Sequence, residues 1–480
     1  MELHVVIDGD KDLAGQVYRQ IKEAIQSGRL AVGEQVPPSR LLAQQLQVSR
    51  KTVSEAYARL TMDKLLAGQV GAGTFVTAAA TQLQPHPSPR RFAAKDLAAG
   101  ATLKNWLGRS MPLQPPERRS AYDFFGGGAA KNHFPLAEWR QCILHGLRKS
   151  QAARGYYSEP QGLPVLREAI ARHSAFARGV QCVPMDVLVT NGAQQAIDLV
   201  ARVLIEPGCT VAVEDPGYPP ARLTFASQGA RIACIPVDAE GMMVEHIPDD
   251  TRLIYVTPAH QFPLGMPMSM ARRKALLKRA GELGAIIIED DYDSEFRYEG
   301  RPTDSLQSMD SEGLVAFVGT FSKVMHPDLR IGYLIAPPAI REAVTVAKHL
   351  CDWHTPAMMQ WALAKFIDDG YLQKHIRRCH AMYASRREKL LSRLNTDLAP
   401  WLQPIAATAG FHLTALVSEE VDMHQLLQLA RRVDVGLYGI DVFYHEMPPV
   451  PALFFGYGAI ETLDIEPALD RVKAILTEIA

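Results

Sequence analysis

A lysine closes the run Gly319-Thr320-Phe321-Ser322-Lys323, directly after the β-branched stretch Leu314-Val315-Ala316-Phe317-Val318. Earlier in the chain, Asp290 and Tyr292 follow the apolar run Ala285-Ile286-Ile287-Ile288-Glu289. Two-residue spacing turns both side chains to one face of an extended chain. Arg330 lies seven residues beyond Lys323, and Gly192-Ala193-Gln194 opens a helical pattern whose unpaired N–H groups favour an anion. Ends of strands are where open α/β sheets hold ligands. An amine that condenses with an aldehyde, a carboxylate for a protonated ring nitrogen, and an arginine plus helix end for a phosphate match the needs of pyridoxal 5′-phosphate. Singly, each residue has a plain structural use: Asp290 as a helix cap, Arg330 in an ion pair, Lys323 at the surface. Their order along the chain is what carries the cofactor reading.

The elements that must position these groups follow from hydrophobic periodicity. Short continuous apolar runs at 187–190, 210–214, 253–256, 285–289 and 314–318 alternate with helical patterns such as 196–205. Such runs suit strands of a sheet covered on both faces. From about Glu388 the rhythm changes, with Phe411-His412-Leu413-Thr414-Ala415-Leu416 and further helices, and predicts a smaller C-terminal α+β lobe. At 480 residues the chain can bury more than one core. The start MELHVVIDGDKD lacks the basic and apolar segments of a signal peptide, and no long apolar run suits a bilayer, so a cytoplasmic protein with no membrane partner is expected. Six scattered cysteines form no close pair of the zinc-binding kind, and no structural metal is expected.

The first part of the chain has a different character. Leu13, Val17, Ile21 and Ile25 recur every four residues and predict an amphipathic helix ended at Gly28. Pro37-Pro38-Ser39 breaks the chain, with Ser39 as expected N-cap of a second helix over 41–46. Ser49 is placed to cap a third, carrying Val53, Ala56, Tyr57 and Leu60 inward and Arg50, Lys51, Thr52 and Ser54 at its exposed start. This is helix-turn-helix spacing, and the glycine-punctuated pieces 66–76 fit a small hairpin, or wing. The net charge is only −1, so contact with nucleic acid must come from local cations. Thr77 to Pro89 is poor in bulky apolar residues and reads as a tether, continuing in weakly patterned chain to about Ser120, with a short helix expected over 97–107.

Residues 12–76 resemble, almost throughout, the winged helix-turn-helix of GntR-type bacterial regulators. Val36-Pro37-Pro38-Ser39-Arg40 stands where that family usually has Leu-Pro-Ser-Ser-Arg. The resemblance implies that Arg40, Ser49, Arg50, Lys51, Thr52 and the wing residue Gly73 lie at double-stranded operator DNA. Residues from about 122 onward resemble fold-type I aminotransferases, through Tyr157-Ser158-Glu159-Pro160-Gln161-Gly162, Asn191-Gly192-Ala193-Gln194-Gln195, Glu214-Asp215-Pro216-Gly217-Tyr218, Thr257-Pro258-Ala259-His260-Gln261-Phe262-Pro263, Glu289-Asp290-Asp291-Tyr292 and Gly319-Thr320-Phe321-Ser322-Lys323. Head and body together resemble the MocR family of transcriptional regulators, some of which respond to vitamin B6. The expected architecture is therefore a winged helix-turn-helix over 1–77, a linker over 78–120, and an α/β aminotransferase-like effector and dimerisation domain over 121–480 with its smaller lobe.

The same resemblance implies roles in the body. Lys323 is the Schiff-base lysine, and Asp290 faces the pyridine nitrogen, with Asp291 the adjacent alternative. Tyr292 approaches the phenolic oxygen with His260 or Gln261 nearby. Ala193, Gln194, Thr320, Ser322 and Arg330 surround the phosphate, Tyr218 stacks on the ring, and Tyr157 comes from the neighbouring subunit of a homodimer. One departure bears on activity. Aminotransferases hold a substrate carboxylate with a C-terminal arginine, and Pro449 to Gly458 contains none. The expectation is a regulator that senses pyridoxal phosphate, or a small amine or amino acid condensing with it, and not an enzyme. The alternative is an aminotransferase with an accessory DNA-binding head.

Overall fold

The computed structural model describes residues 5–9, 11–69, 72–77, 97–109, 119–126, 128, 130–152, 155–299 and 304–479. The chain divides into two compact units, Met1–Met111 and Pro112–Ala480. Most of the expected linker lies outside the described residues, although the short helix expected within it is present as Gly100–Leu107.

In the first unit the four-residue apolar recurrence becomes the helix Leu13–Gln26, capped by the Asp12 side chain on Gly15 N–H. Val17, Ile21 and Ile25 pack with Leu42 of the helix Ser39–Gln45 and with Val53, Ala56 and Leu60 of the helix Arg50–Met62. Ser49 caps the third helix, its Oγ accepting from Thr52 N–H at 3.1 Å. Ser39 does not act as a cap. Pro38 holds that position without a side-chain bond, because Ser39 is already the first helical residue. The wing strands Leu66–Gln69 and Gly73–Val76 pair antiparallel, and Gln35–Val36 joins them as a third strand.

The second unit is built on an eight-stranded sheet. Its order is Val187–Thr190, Gly332–Ile335, Val315–Thr320, Ile286–Asp291, Thr251–Val256, Thr210–Asp215, Arg231–Asp238 and Gly241–Met242. Only Gly332–Ile335 and the terminal Gly241–Met242 run against their neighbours. Both faces are apolar. Ile286 and Ile288 pack with Ile197 and Val200 of the helix Ala193–Leu204, whereas Ile287 turns to Leu276 and Ala280 of the helix Met270–Leu283. Alternation within an unbroken apolar run is what a sheet between two helical layers requires.

A four-stranded antiparallel sheet forms the smaller lobe, in the order Leu402–Pro404, His412–Val417, Ala452–Gly456 and Tyr438–Gly439. The strand Tyr122–Asp123 pairs parallel with Val435–Gly436, so the beginning of this unit is sewn into the lobe formed by its end. Among the described residues, no helix is long and apolar enough to cross a membrane.

Candidate functional site

A cavity of about 440 Å³ opens at the C-terminal ends of the parallel strands. Its walls include Ala193, Gln194, Tyr218, Asp290, Tyr292, Thr320, Ser322, Lys323 and Arg330. Nine residues spread over nearly 140 positions of sequence thus converge on one space; each arrives from the end of a strand or the segment that follows it, except Arg330, which precedes the antiparallel strand Gly332–Ile335.

Asp290 is the penultimate residue of the central strand Ile286–Asp291. Its Oδ2 accepts from the Tyr255 hydroxyl at 2.7 Å, while Oδ1 is buried without a hydrogen-bond partner. Burial raises its pKa to about 6, against the lowering effect of the Tyr255 bond. Asp291 points to the other face of the strand, where Arg178 Nε donates to it at 2.5 Å. Asp290 is therefore the carboxylate on the cavity wall. Lys323 follows the next strand, and burial pushes its ammonium below the ordinary range, with Asp293 and Asp290 opposing the shift. A neutral amine is the form that attacks a carbonyl.

Arg330 stands in the left-handed region at φ 51° and donates to Asn191 O at 2.9 Å. Its guanidinium lies against Gly192, where an added Cβ would meet Nη2 at 2.8 Å. A side chain at Gly332 would meet the Gly192 backbone at 2.7 Å, so the antiparallel strand can lie directly against the helix start. The result is a cationic group beside the first N–H groups of the helix Ala193–Leu204, with the buried Ser322 Oγ and Gln194 Oε1 also lacking partners. Such an arrangement accommodates a phosphate.

Tyr292 lines the cavity, but His260 and Gln261 do not. His260 lies behind Tyr292, which places its hydroxyl 2.9 Å from His260 O and 3.2 Å from His260 Nδ1. Gln261 donates to Pro216 O at 2.9 Å. The wall position in this segment belongs to Phe262. Tyr157 is away from the cavity wall, 73% exposed and 4.1 Å between ring centroids from Trp353. Residues that sequence reasoning did not assign to the site add to the walls: Tyr255 and Thr257 at the end of the strand Thr251–Val256, Phe262 from the loop that follows, and Phe411, His412 and Phe454 from the small lobe. A histidine inside the apolar strand 412–417 is the one local signal that could have drawn attention. Phe454, in the segment without arginine, faces the cavity, and among the described lining residues the cationic side chains are Lys323 and Arg330.

Two clusters bring three metal-type ligands together among the described residues: His260, Asp293 and His412, all buried, and the more exposed Cys234, His445 and Glu446.

In the first unit, Arg40, Ser49, Arg50, Lys51 and Gly73 are exposed and Thr52 is half-buried. Several other cations of this unit are locally neutralised: Arg19 by Asp12, Lys22 by Asp63, Arg29 by Glu23 and Arg59 by Glu55. Among the described residues, Arg40, Arg50 and Lys51, like Lys11, Lys64 and Lys104, have no such partner. The weak overall charge thus conceals a local positive field at the start of the third helix. Gly73 holds φ 121° at the wing turn, and a Cβ there would strike the Gln35 amide that donates to Ala72 O at 2.7 Å.

Residues 13–76 match the family model described as bacterial regulatory proteins, gntR family. The chain is 32% identical to the probable rhizopine catabolism regulatory protein MocR of Rhizobium meliloti, covering 98% of this chain and 95% of that protein. It is 35% identical to the transcriptional regulator TauR of Rhodobacter capsulatus over 84% of this chain and 83% of the relative. The body is similar to the crystal structure of kynurenine aminotransferase from Pyrococcus horikoshii, with TM-score 0.69, 26% identity, and coverage of 84% of this chain and 98% of that one. These likenesses, spanning nearly the whole length, mean that the chain belongs to the MocR family of GntR-type transcriptional regulators, a winged helix-turn-helix head joined to a fold-type I aminotransferase-like body.

Proposed function

We propose that the chain is a pyridoxal-phosphate-dependent transcriptional regulator, binding operator DNA through its head and sensing the cofactor, or an amine condensed with it, through its body. The observation that carries this is the convergence of Lys323, Asp290 and Arg330 on one cavity in a chain whose other unit is a GntR-type head. The residues fit the group. Asp290 Oδ1 is a buried acceptor without a partner, as a protonated pyridine nitrogen needs. Arg330, Ser322 and the start of the helix Ala193–Leu204 form a phosphate cradle, and the flat walls of Tyr218 and Phe262 suit an aromatic ring.

When bound, the cofactor supplies an aldehyde that joins reversibly to amines. The chain's own residues then have separate tasks. Lys323 anchors through its Nζ, Asp290 keeps a proton on the ring nitrogen, and Arg330 fixes the phosphate end. Tyr157, exposed beside Trp353, is assigned to the cavity of the neighbouring subunit in a homodimer. Arg50 and Lys51 position the head on phosphates, and the first turn of the third helix reaches base edges. Sensing requires the ligand to bind two arrangements of the dimer with different affinity.

Footprinting of the full-length chain on the DNA upstream of its own gene, with and without pyridoxal phosphate, tests this directly. A protected repeated site whose affinity changes with the cofactor is expected, and no protection in either condition overturns the assignment. The second reading, an aminotransferase with an accessory head, draws on Lys323, whose burial favours the neutral amine a catalyst would need. A panel of amino acids and amines separates the two. Spectral change without product marks a sensor, and sustained product formation marks an enzyme.

A further inference from the structure

Outside the cavity wall lies a buried lysine that none of the tasks above uses. Lys348, in the helix Pro338–Asp352, is 0% exposed. Its three protons are all placed, on Gln195 Oε1 at 2.8 Å, Asp352 Oδ2 at 2.8 Å and Thr355 Oγ1 at 3.1 Å. Burying an ammonium is costly unless such acceptors are held in place, so the lysine pins the segments that carry them. Two of these residues flank Trp353, which takes φ 63° and ψ −64° while His354 N–H closes on Asp352 O at 2.7 Å. So tight a turn is rare for a bulky residue and persists only where its surroundings fix it.

The third acceptor leads to the phosphate cradle. Gln195 Oε1 also accepts from Asn191 N–H at 2.8 Å, and Gln195 Nε2 donates to Asp352 Oδ2 at 2.8 Å. Asn191 Nδ2 donates to the same oxygen at 2.6 Å. Asn191 is thus held by backbone and side chain, one residue before Gly192, where φ 85° turns the chain into the helix Ala193–Leu204. Its carbonyl oxygen is the one that accepts from Arg330, and a guanidinium with one N–H spent there keeps others for an anion. Lys348, Asp352, Gln195 and Asn191 all lie off the cavity wall, so a ligand can fill the cavity with these bonds in place.

We infer that Lys348, Gln195 and Asp352 are positioning residues that hold this helix start and Arg330 for a phosphate, so that the cavity selects a phosphorylated aldehyde over its free alcohol. This rests on the cofactor reading of that cavity. The three act through Asn191 and touch no ligand themselves. Loosening the turn misaligns the helix-end N–H groups and the guanidinium, and hydrogen bonds weaken steeply with poor alignment. Lys323 arrives from a different segment, after the strand Val315–Thr320, so attachment of the aldehyde does not depend on the cluster.

The test is the affinity of full-length protein for pyridoxal 5′-phosphate and for pyridoxal, each read from the absorbance of the Lys323-bound aldehyde. Gln195→Met and Asp352→Ala should each weaken the phosphorylated ligand about fivefold, the scale of one net hydrogen bond, and leave pyridoxal within about twofold. Asp352→Asn keeps an oxygen for Lys348 and Asn191 and should recover most of the loss. Unchanged affinities in Gln195→Met and Asp352→Ala overturn the inference. So does an equal loss for the two ligands, which marks general damage to the fold. Tighter binding of the phosphorylated ligand by Asp352→Ala also overturns it, since that is the result of a carboxylate acting only by repulsion.

Inorganic phosphate titrated into the cofactor-free protein gives a reading independent of the aldehyde. It should slow amide exchange in peptides covering 192–195, with about fivefold more phosphate needed in Gln195→Met. Should the wild type take up neither aldehyde, the proposed function fails while this titration still decides the cluster. Phosphate that leaves wild-type exchange unchanged, or slows it at the same concentration in the variant, overturns the inference.

Discussion

The head and the body place their chemistry in opposite environments. The groups assigned to DNA are exposed side chains on a small helical frame, where Arg40, Arg50 and Lys51 contribute to a shared positive field. Those assigned to the cofactor run from the buried Asp290, Thr320 and Ser322 through the half-buried Gln194, Tyr218, Tyr292 and Lys323 to the exposed Arg330, and the buried ones are electrostatically coupled to their neighbours, as Asp290 is to Tyr255, Asp291, Asp293 and Lys323. Water screens the first kind and leaves each member of modest value. The buried members of the second kind, Asp290 above all, are protected from water, so loss of a neighbour disturbs their ionisation. A regulator so built can be tuned gradually at its DNA face and only abruptly at its ligand site.

Four perturbations would break or sharpen that contrast. Lys323→Ala should abolish covalent attachment altogether, seen as loss of a cofactor-bearing peptide after borohydride reduction and mass spectrometry. Salt-sensitive binding of non-specific DNA by the same variant should persist, and simultaneous loss of both would mean that the units do not function separately.

The next effect is one of pH on the cofactor-free protein. Burial raises Asp290 to about 6 and Glu214 to about 7, both above their unfolded values. The folded state therefore holds these protons more tightly, and each group loses stability as pH rises from about 4 through its folded pKa, on the order of 2–3 kcal/mol. Chemical denaturation of wild type against Asp290→Asn across that window should show the variant gaining relative to wild type as pH increases. A difference that stays flat with pH would mean that Asp290 is not held in a protonating environment.

A smaller change is expected at the surface. Lys51→Ala should weaken DNA binding roughly tenfold on all sequences and reduce the slope of log affinity against log salt by about one. Titrations at several salt concentrations check both numbers, and a sequence-selective loss would instead make Lys51 a base-reading residue. Smallest is Ser49→Ala, which removes the cap on Thr52 N–H and should cost the head about 1 kcal/mol in thermal or chemical unfolding.

Much of the fold was readable because its signals are local. The four-residue spacing of Leu13 to Ile25 and the β-branched runs at 187–190 and 285–289 impose helix and strand wherever they are buried. Of the eight strands of the large sheet, three escaped notice: Arg231–Asp238, whose apolar run 232–237 contains a proline and is only half-buried, the two-residue Gly241–Met242, and Gly332–Ile335, which is short and begins beside Arg330. Ser39 failed as a cap because a proline before it already supplies the extended φ that a cap position needs.

The candidate site was half readable for a related reason. Lys323, Asp290, Tyr292 and Arg330 announce themselves by residue type at the ends of predicted strands. Phe262, His412 and Phe454 have no such signature, because they reach the cavity from a loop and from a second lobe whose packing no local pattern encodes. The orientation of His260 was likewise hidden, since an adjacent pair of polar residues gives no hint of which one turns inward and which is spent on Pro216 O.

By itself, the sequence determined that a GntR-like head precedes an aminotransferase-like α/β body with polar groups ordered at the ends of its strands, because periodicity and residue type act over a few neighbouring residues. Only the tertiary structure decided that Asp290 and not Asp291 faces the cavity, that Phe454 occupies the wall where an arginine is missing, and that His260 backs Tyr292. Those outcomes depend on which segments far apart in the chain come within a few ångströms of each other, and that is settled by the packing of the whole body.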